Sequence, residues 1–265
     1  MSAQDKATED QTRIAGTAAF SKFMAVLQLI ADQDAPLSIA QLAALSGYPR
    51  PTVYRILAAL MAEGMVMENP RTRQFEVGPR LINLASRAWD RSDLRATAID
   101  SLRALRDATR ETVHLAVPSD AGMVYIEKLE SPQAVRMTSR IGTRVTLYSS
   151  SVGKAYLAAL DEQRRERLMR AMRLERFTEH TITGLDALRA EIAATQARGH
   201  AEDREENEAQ IFCYGAAIIG ADSQPAACIS ISIPLFRRRQ DAQQAYIGPL
   251  LETCAAISRK LAGPG

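Results

Sequence analysis

Ser38-Ile-Ala-Gln-Leu-Ala-Ala-Leu-Ser-Gly-Tyr-Pro-Arg-Pro-Thr-Val-Tyr-Arg-Ile-Leu-Ala-Ala-Leu-Met-Ala-Glu-Gly64 reads as two short helices separated by a tight break. Ser38 is placed to cap the first helix, whose Ile39, Leu42 and Ala43 share one apolar face. Gly47 stands where a C-cap glycine belongs, and Pro49 prevents the helix from continuing. A second helix starts near Pro51, a residue favoured in a first turn. Its Val53, Ile56, Leu57 and Leu60 follow the i, i+3, i+4, i+7 spacing of a core-facing stripe.

The opposite face of the second helix mixes a few polar heads with small residues, Ala58 and Ala62 among them, and no Asp or Glu occurs from Ser38 through Ala62. A helix that enters a DNA major groove must be slim, must not repel phosphate, and must carry donors near its N-terminus. Arg50, Pro51, Thr52, Tyr54 and Arg55 meet those requirements and are the candidate DNA contacts. An ordinary solvated helical hairpin is the competing reading, but such a face usually carries several acids.

Downstream, Met65-Val-Met-Glu and Gln74-Phe-Glu-Val flank Asn69-Pro-Arg-Thr-Arg, the pattern of a short hairpin. A hairpin directly after a recognition helix is a wing. Arg71 and Arg73 at its tip are candidate phosphate or minor-groove contacts; alone, a basic surface loop explains them equally well.

Residues 1–17 are polar, lack the apolar stretch of a signal peptide, and read as a flexible arm. A helix from about Ala18 to Asp32 carries the stripe Phe20, Phe23, Met24, Leu27, Ile30 and Ala31. Residues 18–78 therefore form one winged helix-turn-helix. Residues 79–93 form a linker helix whose wide apolar face, including Leu81 and Trp89, suits burial against a second copy.

From residue 94 to 265 the pattern is α+β around an antiparallel sheet. The stripe Leu94, Ala98, Leu102 and Leu105 precedes two alternating strands, at 112–117 and 123–129, with a hairpin turn between them. Ala134 to Ser139 reads as a further strand, and Gly153–Leu160 and Glu162–Met172 as helices. A helix ending at Gly199, strands 215–219 and 226–233, and a final helix with Leu250, Cys254 and Ile257 complete the pattern.

The chain of 265 residues is 46% hydrophobic with a net charge of +2, so any affinity for nucleic acid must come from a local patch. Cys213, Cys228 and Cys254 make an odd count without CxxC spacing, which argues against a disulfide frame or a zinc finger and for a reducing, cytoplasmic setting. No apolar run reaches membrane-spanning length. No cofactor or metal is expected: His180, His200 and Cys213 lack ligand spacing. Nor does any nucleophile elbow support Cys213, His114 and Asp203 as a catalytic set.

Taken together, Leu42-Ala-Ala-Leu-Ser-Gly-Tyr-Pro-Arg-Pro-Thr-Val-Tyr-Arg-Ile-Leu, Arg140-Ile-Gly, Val152-Gly-Lys-Ala, Arg198-Gly-His, Asp203-Arg-Glu-Glu-Asn and Ser230-Ile-Ser resemble the isocitrate-lyase-regulator (IclR) family of bacterial transcription factors. The likeness runs from about Phe20 to Leu261. It implies a winged helix-turn-helix, a linker helix and a GAF-like effector domain, assembled as a homodimer or a dimer of dimers on double-stranded operator DNA.

The resemblance also implies an effector pocket. Ser151 and Val152 match the residues whose backbone N–H groups meet the ligand, Asp203 the pocket acid, Cys213 the pocket cysteine, and Ser230 and Ser232 the pocket hydroxyls. Ala134, Met137, Val145 and Ile211 would form an apolar wall. Ala134 is smaller than the leucine of some members, and Tyr148 stands where relatives often have His. Independently, a helix N-terminus after Ser149-Ser-Ser suits a carboxylate, although the serines also read as a plain N-cap run. Cys213 also reads as a small buried hydrophobe, and Asp203 as a turn cap. The expected effector is a small organic acid, first a sugar acid or related hydroxy or keto acid, second an aromatic acid. A sensor that works through protein contacts without DNA is the remaining alternative.

Overall fold

The computed structural model describes residues 17–90, 93–119, 122–135 and 137–262, and the chain divides into two compact units between Ser92 and Asp93. Apart from Thr17, the expected arm lies outside the described residues, as does the side chain of Trp89.

In the first unit α1 (Ala18–Ala31), α2 (Ile39–Ser46) and α3 (Arg50–Ala62) precede a hairpin of β1 (Val66–Glu68) and β2 (Phe75–Val77), and α4 (Pro79–Asp90) follows. Ser38 and Gln41 form a reciprocal capping box: Ser38 Oγ accepts from Gln41 N at 3.4 Å, and Gln41 Oε1 accepts from Ser38 N at 2.9 Å. Gly47 ends α2 at φ 68°, a left-handed conformation that favours glycine. Val53, Ile56, Leu57 and Leu60 of α3 are buried against Val26, Leu27 and Ile30 of α1, Leu42 of α2, and Val66 and Phe75 of the hairpin. Leu37 and Phe75 exchange backbone hydrogen bonds of 3.1 and 2.8 Å, adding a one-residue third strand to the wing.

Two expectations change here. The buried stripe of α1 is Val26, Leu27 and Ile30, while Phe20 and Met24 are 65% and 42% exposed. The two stripes share Leu27 and Ile30, but the core is turned toward Val26 and away from Phe20 and Met24. In α4, Leu81 packs on its own unit's core, while Ile82 and Leu84 are exposed.

The second unit is α+β. It begins with α5 (Asp93–Thr109), β3 (Thr112–Ser119), β4 (Gly122–Leu129) and β5 (Arg144–Val145). Next come α6 (Ser151–Ala159), α7 (Glu162–Ala171), α8 (Leu185–Arg198), β6 (Ala201–Arg204), β7 (Ile211–Ile219) and β8 (Pro225–Pro234), and α9 (Gly248–Ala262) closes it. The six strands form one antiparallel sheet in the order β5-β4-β3-β8-β7-β6.

Strand alternation divides the sheet into two faces. Val113, Leu115, Tyr214, Ile229 and Ile231 join Leu102 and Leu105 of α5 and Leu250 and Ile257 of α9 in one core. Ala116, Met123, Tyr125 and Cys228 face the other way, into a core with Val152, Leu157 and Ile192 of α6 and α8.

Ala134 to Ser139 do not form a strand among the described residues. That segment is held by side chains instead: Lys128 Nζ donates to Met137 O at 2.8 Å, and Ser139 Oγ meets His114 Nε2 at 2.7 Å. Arg144–Val145 takes the sheet edge beside β4. β6 was not legible in the sequence, because Ala-Glu-Asp-Arg is short and polar, and α6 begins two residues before the expected Gly153.

Candidate DNA surface and effector pocket

On α3 the residues opposite the buried stripe are those marked as DNA contacts. Arg50, Pro51, Tyr54 and Arg55 are exposed, and Thr52 is half-buried. Pro51 lies in the first turn, where its missing N–H costs no helical bond. Ala58 and Ala62 keep the rest of the face thin.

Asn69 shapes the wing tip: its Oδ1 accepts from Arg71 N at 3.0 Å and Thr72 N at 3.3 Å. Arg73 adopts φ 57° there. The two wing arginines differ. Arg71 is exposed without an ion-pair partner among the described residues, while Arg73 Nε lies 2.9 Å from Glu68 Oε1.

In the second unit the pocket residues converge on the α6 side of the sheet. Asp203 opposes Cys213 on β6–β7, Cys213 opposes Ser232 on β7–β8, and Gly215 opposes Ser230. Asp203, Cys213, Ser230 and Ser232 are all buried. Cys213 Sγ donates to Ser232 Oγ at 3.3 Å, and burial pushes its thiol well above the ordinary range.

The start of α6 lies directly on this row. A Cβ on Gly215 would sit 2.5 Å from Ser151 O, and one on Gly153 would sit 2.4 Å from Thr146 O. Both glycines are therefore required by close backbone approach. Ser150 is the cap, accepting from Gly153 N at 3.1 Å. That leaves the first two helical N–H groups, of Ser151 and Val152, without a protein acceptor among the described residues, although both residues are buried. So Ser150 plays the plain N-cap part, and Ser151 and Val152 present free donors at the positive end of the helix.

Asp203 does cap a turn: its Oδ1 accepts from Glu206 N at 2.8 Å and Asn207 N at 3.2 Å. Burial pushes its carboxyl up to about 7, against the opposite pull of the Lys154 ammonium. Lys154, fully buried on α6, is committed to Glu206 Oε1 at 2.5 Å and lies 3.7 Å from Glu191. Ser149 Oγ donates to Asn207 Oδ1 at 3.0 Å, tying the 203–207 turn to the start of α6.

The expected apolar wall is only partly assembled. Val145 is buried against the α6-side core, and Met137 and Ile211 are half-buried. Ala134 is exposed, because the segment that carries it follows side-chain anchors rather than the sheet. Tyr148 stands apart: its hydroxyl is used by the backbone of Glu175, donating to O at 3.0 Å and accepting from N at 2.9 Å. It lines a separate cleft of about 390 Å³ with Leu168, Met172 and Phe177.

Two residues not marked as effector contacts join the row. His114 faces Ser230 and Ser232 from β3, with Nδ1 at 3.5 and 3.4 Å from their Oγ atoms. Its ring stacks on Tyr125 at 4.3 Å. Burial, helped by Lys128, lowers the imidazole to about 3, and burial raises the Tyr125 phenol. Period-two alternation with Thr112 was the sequence signal that could have found His114.

No helix among the described residues is long and apolar enough to cross a membrane. Residues 20–70 match the family model described as the IclR helix-turn-helix domain, and residues 86–259 the one described as the bacterial transcriptional regulator IclR C-terminal domain. The HTH-type transcriptional regulator KdgR of Escherichia coli is 30% identical over 240 residues, covering 91% of each chain. The transcriptional repressor IclR of the same organism is 28% identical over 240 residues, covering 90% of this chain and 88% of its own. The crystal structure of the Thermotoga maritima IclR superposes with a TM-score of 0.74 at 31% identity, covering 92% of this chain and 98% of that one. The exposed α3 face, the hairpin behind it and the sheet-borne second unit are thus those of a known kind of molecule: the chain belongs to the IclR family of DNA-binding transcriptional regulators.

Proposed function

We propose that this regulator is a repressor of a catabolic operon, released or retained on its operator by a small hydroxylated monocarboxylate. The observation that carries the reading is the pair of buried, unpartnered N–H groups at Ser151 and Val152, set over Ser230, Ser232 and Asp203. A helix N-terminus suits one carboxylate. Lys154 is buried here and already paired with Glu206, so among the described residues a second carboxylate finds no free buried cation beside Asp203. Hydroxyl or keto oxygens match the serines instead. A sugar acid or related hydroxy or keto acid fits best.

Operator reading is assigned to Arg50, Thr52, Tyr54 and Arg55, with Arg71 on phosphate. Residues 18–78 act as the winged domain, 79–93 as the linker helix and 94–265 as the effector domain. The exposed Phe20, Met24, Ile82 and Leu84 support a homodimer, since such apolar groups gain by burial against a second copy. The ligand acts by binding one of two arrangements of the dimer more tightly than the other.

The test is calorimetry of the full chain with D-gluconate, D-glycerate and 4-hydroxybenzoate. Gel shifts on operator duplex selected from a random pool accompany it. Binding of a hydroxylated acid that changes DNA affinity supports the reading. Binding only of uncharged ligands overturns it.

A further inference from the structure

We propose that His114 is the specificity-determining residue of this pocket, selecting a hydroxyl or keto oxygen of the ligand at the Ser230–Ser232 end. The inference rests on the effector-pocket reading above and adds to it a residue on another strand.

His114 opposes Ser230 directly on β3–β8, and its neighbour in alternation, Thr112, opposes Ser232. One ring nitrogen therefore faces both hydroxyls, at 3.5 and 3.4 Å. The other nitrogen meets Ser139 Oγ at 2.7 Å. Tyr125 stacks on the ring, with centroids 4.3 Å apart. The imidazole is thus the hub to which both candidate ligand hydroxyls are tied.

A neutral imidazole has one N–H and one lone pair. Its burial and its pKa of about 3 keep it neutral across the physiological range. Because Ser139 engages Nε2, the tautomer chosen there dictates the polarity of Nδ1. If Nδ1 carries the proton, it donates to the serine oxygens and leaves both serine protons to point at a ligand. If Nδ1 is bare, it takes one serine proton and the other stays available. In both cases the ring and the serines offer directed neutral donors, and the nearby Lys128 ammonium is engaged by Glu130 at 3.3 Å and by Met137 O at 2.8 Å. Such an end rewards a neutral oxygen and gives a second carboxylate no compensation for its lost hydration.

Sequence position alone hid this role, since His114 and Ser232 are separated by 118 residues. A purely structural part for the ring is the alternative: the His114–Tyr125 stack could serve packing only. The test separates the two by specificity rather than by affinity.

Calorimetry on the full chain compares matched acids that differ only in hydroxyl groups: D-glycerate against propionate, and D-gluconate against hexanoate. The wild type is expected to prefer the hydroxylated member by roughly tenfold or more, the scale of one or two hydrogen bonds. His114→Phe keeps an aromatic ring on Tyr125 but no nitrogen. It should bring that ratio to within about twofold of unity while propionate or hexanoate binding stays nearly constant. Circular dichroism and retained operator binding confirm its fold. Should that variant fail to fold, Ser139→Ala decides: it frees Nε2 and is expected to lower the ratio severalfold. An unchanged ratio in His114→Phe, or in Ser139→Ala where it stands in, overturns the inference alone, as does an equal weakening of both members of a pair. If the wild type binds none of these acids and not 4-hydroxybenzoate either, the pocket reading itself falls and this inference falls with it.

Discussion

Gly215 lies under Ser151: a Cβ built on the strand residue would come within 2.5 Å of the helix residue's carbonyl oxygen and 2.9 Å of its Cβ. The approach is between backbones, so a flexible side chain cannot yield. Gly215→Ala is expected to lift the start of α6 from the sheet and misplace the N–H groups of Ser151 and Val152. Overpacking of this kind typically costs about 1–3 kcal/mol. Thermal denaturation should show the loss, and calorimetry should show effector binding reduced at least tenfold. Operator binding without effector should persist.

Arg55 stands exposed on α3 with no protein partner among the described residues. Removing a base contact costs ~1–3 kcal/mol of specific binding. Arg55→Ala should lose that amount on operator DNA by gel-shift titration, with non-specific binding and melting temperature little changed. Wild-type operator affinity in the variant would show that another face of α3 reads the groove.

The wing arginines should behave unequally. Arg71 is exposed at the tip, while Arg73 is held by Glu68 at 2.9 Å. A neutralised phosphate adds about 0.9 to the slope of log K against log salt. Arg71→Ala should reduce the slope by about that amount, and Arg73→Ala by less. Equal slopes for wild type and Arg71→Ala would place the tip away from DNA.

Asp203 supplies a pH dependence with a definite sign. Burial raises its carboxyl from the ordinary acidic range to about 7 in the folded chain. The folded state therefore binds this proton more tightly than the unfolded one. The contribution is fully present below the unfolded carboxylate pKa, near 4, and is lost as pH rises through about 7. Asp203→Asn, whose amide oxygen can still accept from Glu206 N and Asn207 N, should gain stability relative to wild type as pH rises from about 4 to 8. Denaturant melts across that window check it. A carboxylate bound nearby would raise the Asp203 pKa further, so effector affinity should fall as pH rises past 7 in wild type, and less in the variant.

Ile82 and Leu84 of α4 are 73% and 48% exposed. If a second copy covers them, Ile82→Glu and Leu84→Glu together should shift sedimentation velocity from dimer toward monomer. Sedimentation matching that of wild type would put the dimer contact elsewhere.

What the sequence alone determined is what short-range physics governs. The capping serine at Ser38, the left-handed glycines at Gly47 and Gly199, and the 3.6-residue stripe of α3 act within a few residues, so they specified the helix-turn-helix and the end of α8 directly. Alternation likewise placed Ser230 and Ser232 on one face of β8. Tertiary structure decided the rest. The stretch Ala134 to Ser139 reads as a strand, but anchors from Lys128 and His114 hold it outside the sheet, so Ala134 lies in solvent. Tyr148 was drawn to Glu175, and His114 was drawn to serines more than a hundred residues away. Asp203 owes its raised carboxyl first to burial at a site shared by α6, β6 and the 203–207 turn, with Lys154 pulling the other way and Glu206 adding a smaller upward push. Hydrogen-bond partners and desolvation depend on which surfaces meet, and local pattern does not carry that information.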